Sequence, residues 1–155
     1  MRRIIAYLIR FAAILIGYVI ASLAASAFLN VLFLGHFGYA PEPGHPTIAP
    51  ALYFSVPFVA LFVAYFGFVP AAVVILIAEV LGRRDWLFYA LGGAVIAVIF
   101  LGFAHHVSDG DFDITGTNAR LAIVGAGMVG GIFYWLSAGR WAGSWRREPL
   151  PDPEP

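Results

Sequence analysis

RLAIVGAGMVGG, residues 120–131, decides the fold. In isolation, a β-branched run leads into Gly125-x-Gly127-x-x-Gly130, the spacing of a loop whose glycines let a pyrophosphate approach the backbone. Such a loop has meaning only as strand, turn and helix inside a βαβ unit, with an acidic residue about 20 positions on. Glu148 stands near that distance, but the intervening IFYWLSAGRWAGSWRR is aromatic and arginine-rich and contains no second strand. As one helix the same stretch makes better sense. Gly127 and Gly131 lie four apart, as do Ala122, Ala126 and Gly130, and such small-xxx-small faces let two helix backbones approach closely. Ala90 and Ala94, and Gly93 and Ala97, offer similar faces further upstream. The stretch therefore predicts a packing helix, and neither a dinucleotide nor any other cofactor is expected.

Composition carries the same message. Of 155 residues, 61% are hydrophobic and only 12% are charged, with a mean hydropathy of +0.87. A soluble domain of this size needs far more polar surface, so the chain reads as a membrane protein. There is no cysteine, which removes thiolate chemistry and disulfide exchange. All nine basic residues are arginines, and no basic stripe of the kind nucleic acid requires is present.

Four apolar segments, 4–34, 52–81, 86–104 and 119–138, reach the roughly 20 residues that cross a bilayer. Arg2, Arg3 and Arg10 lie at the start of the first, Arg83 and Arg84 between the second and third, and Arg140, Arg146 and Arg147 beyond the fourth. The other two loops, 35–51 and 105–118, contain no arginine. By the positive-inside rule both termini are expected in the cytoplasm, with Trp86, Trp135, Trp141 and Trp145 as interfacial anchors on that face. The first segment also has features of a secretory signal, with Ala25-Ser26-Ala27 as a cleavage site. Arg10 interrupts its apolar run and hydrophobicity continues through Leu34, so a retained helix is expected.

Candidate chemistry is sparse. The loop HHVSDGDFDITGTN places Asp109, Asp111 and Asp113 at alternate positions beside His105 and His106. That spacing opens a calcium loop, but the required glycine is Ile114 and the bidentate glutamate is Arg120. Imidazole with carboxylate suits zinc, copper or nickel. Adjacent histidines in a polar loop fix no coordination geometry, so these five residues are weak metal candidates and the loop reads as solvated.

Within the membrane, ionisable groups are the default pointers to function. Arg10 lies about two turns into its helix and is expected to snorkel to the headgroups. Glu79 precedes Arg83 by four residues, the favoured order for a helical ion pair, and is the best single candidate for a proton or cation role. Ser22, Ser26 and Asn30 are expected in interhelical hydrogen bonds. Pro70 withholds a donor from the Phe66 carbonyl, a gap that a neighbouring helix or an ion can fill.

RRDWLFYALGGAV (83–95) and GMVGGIFYWLSAGRWAG (127–143) resemble stretches of small four-span inner-membrane proteins from alphaproteobacterial genomes. The resemblance implies a bacterial inner membrane and brings no activity with it. Small multidrug transporters carry a glutamate in their first helix, which is absent here, and disulfide-generating quinone reductases need cysteines.

The expected fold is all-α: a transmembrane four-helix bundle over residues 1–140, up-down-up-down, followed by a disordered proline-rich tail over 141–155. The expected role is non-enzymatic. It is that of an accessory or structural subunit in the lipid bilayer, assembled with itself or with a larger membrane complex. A small oligomeric transporter or channel is the alternative, followed by an outward-facing metal or pH sensor.

Overall fold

The computed structural model describes residues 2–36, 48–107 and 116–143. They form helices α1 (Arg2–His36), α2 (Ile48–Leu81), α3 (Trp86–Val107) and α4 (Thr117–Ser137), then one 3₁₀ turn, Gly139–Trp141. All four α-helices are long and apolar enough to cross a membrane, as in a multi-pass membrane protein. Among the described residues there is no strand, so Gly125, Gly127 and Gly130 sit mid-helix and no phosphate-binding turn exists.

Lipid offers backbone groups no hydrogen bonds, and an unbroken helix satisfies them internally. That requirement carries α2 through both Pro57 and Pro70 as one helix. With 35 and 34 residues, α1 and α2 are each about 50 Å long at 1.5 Å per residue, beyond the ~30 Å of a hydrocarbon core.

The burial pattern inverts that of a soluble domain. The core is made of small residues, including Ala21, Ala25, Ala78, Ala90, Ala126 and Ala138, and its largest fully buried side chain is Ser26. Leucine, isoleucine, valine and phenylalanine point outward. In lipid, large apolar side chains gain nothing from the interior, and helix association depends on close backbone approach.

Helix α4 is the hub, packed against α3 and α1; α1 packs on α2, and α2 touches α3 more sparsely. Gly127 faces the Gly93 carbonyl and Gly131 the Tyr89 carbonyl, so closely that a Cβ at either glycine would collide with backbone. On the opposite flank, a Cβ at Gly130 would lie 3.3 Å from the Ala21 carbonyl, and one at Gly17 would lie 2.8 Å from the Ala138 Cβ. Contacts between α1 and α2 run from Arg10–Glu79 through Tyr18–Ala64 to Ser26–Val56, ascending one helix while descending the other.

Helix ends are set by glycine and by turn hydrogen bonds. Gly82 adopts φ +63°, and the Arg83 amide returns to the Ala78 carbonyl at 3.0 Å, closing α2. After α4, the Trp141 and Ala142 amides bond the carbonyls of Ala138 (3.3 Å) and Gly139 (3.0 Å), and Gly143 turns with φ +66°. Ala142 and Gly143 are buried. Residues 141–143 thus belong to the folded unit, correcting the expectation that the tail begins at 141.

Candidate functional site

The polar centre of the molecule lies where α1 begins, α2 ends and α4 ends. Its principal bond joins Arg10 Nη2 to Glu79 Oε1, with both side chains largely buried. Each partner has a further bond to the end of α4. Arg10 Nη1 donates to the Ala138 carbonyl at 3.2 Å, and Glu79 Oε2 accepts from the Gly143 amide at 3.0 Å. One ion pair therefore ties α1, α2 and the turn after α4 together. A carboxylate and guanidinium held this way neutralise each other, and each gains one further hydrogen bond, which helps to offset the cost of burying charge.

Two sequence expectations are corrected here. Glu79 pairs with Arg10, not with Arg83, because α2 stops at Leu81 and the left-handed Gly82 turns the chain off the helical track. Arg83 instead lies 3.5 Å from Asp85 on the surface. Arg10 does not snorkel outward; the carboxylate and the Ala138 carbonyl draw it inward. The cue was available in the sequence. Arg10 is the sole charged residue of its apolar segment after Arg3, Glu79 is the sole one of the second, and their signs are opposite.

Around this pair the connecting turns are pinned by aromatic and arginine donors. Trp135 Nε1 donates to the Arg84 carbonyl at 2.6 Å, and Arg84 Nε to the Ala142 carbonyl at 2.9 Å. The Tyr89 hydroxyl reaches the carbonyls of Arg83 (3.3 Å) and Gly139 (3.4 Å). Its ring lies 5.4 Å, centroid to centroid, from that of Tyr134. Arg10 Nε and the Tyr134 hydroxyl are buried with no hydrogen-bonding partner among the described residues.

A cavity of about 100 Å³ lies between the four helices, lined by residues such as Tyr18, Ser22, Val74, Gly93, Gly130 and Tyr134. Small residues make up much of its lining, including Ala21, Ala25, Gly67 and Ala71. The chain matches no protein-family model, no curated protein and no solved structure.

A second set of polar contacts runs up the α1–α2 seam. Tyr18 donates to the Ala64 carbonyl at 2.6 Å and Ser26 to the Val56 carbonyl at 2.7 Å, while Ser55 donates to Asn30 Oδ1. Ser22 bonds within its own helix, to the Tyr18 carbonyl at 2.9 Å. The helix-packing set separates by face: Gly127 and Gly131 meet α3, whereas Gly130 meets α1, and Ala126 is buried while Ala122 is half-buried. Asp109, Asp111 and Asp113 lie outside the described residues. His105 and His106 fall in the last turn of α3, where only the backbone is described.

Proposed function

We propose that this chain is a non-enzymatic accessory or structural subunit of a bacterial inner membrane. Its four helices run up-down-up-down and both termini lie in the cytoplasm. The arginine distribution supports that orientation, and the opposed register of the helix contacts supports that topology. The observation that carries the role is the Arg10–Glu79 bond anchored to the turn after α4. The one charged residue of the first span and the one of the second are spent on holding helices together. The glycine faces serve packing inside the chain, and the large apolar side chains of α2 remain free to meet lipid or a partner helix. The test is isolation from native membranes in a mild detergent. Co-migration with a larger complex supports the role, whereas a lone monomer under all conditions overturns it.

The small transporter or channel remains as a second reading because a 100 Å³ cavity lined by Tyr18, Tyr89 and Tyr134 lies between the four helices. It requires solute flux in liposomes that falls with Glu79→Gln. Flux unaffected by that substitution excludes Glu79 from any pathway.

A further inference from the structure

We propose that the groove between the start of α1 and the turn after α4 binds one anionic phospholipid. The groove measures about 390 Å³ and is lined by Ala6, Ile9, Arg10, Ala13 and Trp141. The groove is open along one side, as a site filled from the bilayer would be. The four α1 residues stand at i, i+3, i+4 and i+7, so they form a single stripe along the helix. Alanines at its two ends leave the wall recessed, and Trp141, about half-exposed, forms the other side.

A second cation stands next to the groove, stacked on its Trp141 side. The Arg140 guanidinium carbon lies 4.1 Å from the centroid of the Trp141 ring. The ion pairs among the described residues are Arg10–Glu79 and Arg83–Asp85, so Arg140 has no carboxylate partner among them. Arg10 is neutralised by Glu79, but its Nε–H has no partner among the described residues. The groove thus combines an apolar wall with a guanidinium stacked on its aromatic side. An occupant with an acyl chain and a negative headgroup satisfies both: the chain lies along Ala6, Ile9 and Ala13, and the phosphate faces Arg140. A zwitterionic lipid would bring its own cation to Arg140, and a free anion would make no use of the apolar wall.

The test is native mass spectrometry of delipidated protein in a neutral detergent. It is titrated separately with dioleoylphosphatidylglycerol, dioleoylphosphatidylcholine and inorganic phosphate. One retained phosphatidylglycerol is expected, at least fivefold tighter than phosphatidylcholine, with no retention of inorganic phosphate. Arg140→Gln, an exposed substitution, should lower phosphatidylglycerol affinity about fivefold, the factor matching ~1 kcal/mol for one basic residue near an anionic surface. Ala13→Leu should weaken both lipids by filling the groove, with thermal melting as the check that it folds. Equal affinity for the two lipids, a preference that survives Arg140→Gln, or displacement of lipid by inorganic phosphate would overturn the proposal.

Discussion

Arg10 and Glu79, 69 residues apart in the chain, form an ion pair that closes one end of the helix bundle. Both also bond the turn after α4, so the pair fixes three chain segments at once. Removing one partner strands the other in a largely buried position, a loss of about 3–5 kcal/mol. Glu79→Gln should therefore lower the thermal midpoint markedly in detergent. The double substitution Arg10→Leu/Glu79→Leu should be milder than either single charge removal, because it leaves no orphaned charge. A double-mutant cycle measures this directly, and additive losses would mean that the two side chains do not stabilise one another.

The glycines of α3 and α4 differ in what they face: backbone at Gly93, Gly127, Gly130 and Gly131, side chains at Gly92 and Gly125, and open space at Gly102. Gly131→Ala and Gly93→Ala each place a methyl against a carbonyl of the partner helix, and that backbone cannot yield as a flexible side chain can. Each should cost at least the 1–3 kcal/mol of an overpacked core. Gly102 has nothing within 4 Å of its would-be Cβ, so Gly102→Ala should be neutral or raise stability by up to ~1 kcal/mol through helix propensity. Thermal unfolding of the three variants side by side separates close packing from any general intolerance of alanine.

The spans and the small-residue faces were legible in the sequence because both are local properties. Apolar length marks a crossing helix, and i, i+4 spacing marks a face. The Arg10–Glu79 bond is non-local, and no periodicity relates residue 10 to residue 79. Nearness along the chain favoured Arg83 as the partner of Glu79, yet Gly82 breaks the helix between them. A left-handed glycine after an apolar run is a common helix stop, so the signal against that pairing was present and local. The docking of residues 141–143 was hidden for another reason. It depends on a carboxylate of α2 accepting the Gly143 amide, a contact that only the assembled bundle creates.

Gly82 and Gly143 both have positive φ and lie in contact, a Cβ on Gly143 falling 3.0 Å from the Gly82 Cα. Gly82→Ala meets open space, so its penalty should be that of the left-handed backbone alone, about 1–2 kcal/mol. Gly143→Ala adds the contact with Gly82 and shifts the amide that Glu79 accepts, so it should cost more. Equal losses at the two sites would detach the Gly143 turn from the ion pair.

Tyr89 and Trp135 hold the α2–α3 connection against the end of α4 through carbonyls of Arg83, Gly139 and Arg84. Tyr89→Phe keeps the ring contact with Tyr134 and removes only a long hydroxyl bond, so a loss near the lower end of 0.5–1.5 kcal/mol is expected. Trp135→Phe removes the shorter bond and leaves the Arg84 carbonyl without that donor, which should cost more. The order of the two thermal midpoints is the measurement.

Orientation can be read chemically because the chain contains no cysteine, so each introduced thiol is unique. If α4 crosses the membrane once, positions 108 and 151 fall on opposite sides of it, and the proposed orientation puts position 151 on the cytoplasmic side. In intact cells, an impermeant maleimide should label Ser108→Cys and leave Pro151→Cys unreacted until the membrane is permeabilised. Labelling of Pro151→Cys in intact cells would put the arginine-rich face outside. Arg10, Glu79 and the phospholipid groove would then face the outer leaflet, although no contact within the bundle would change.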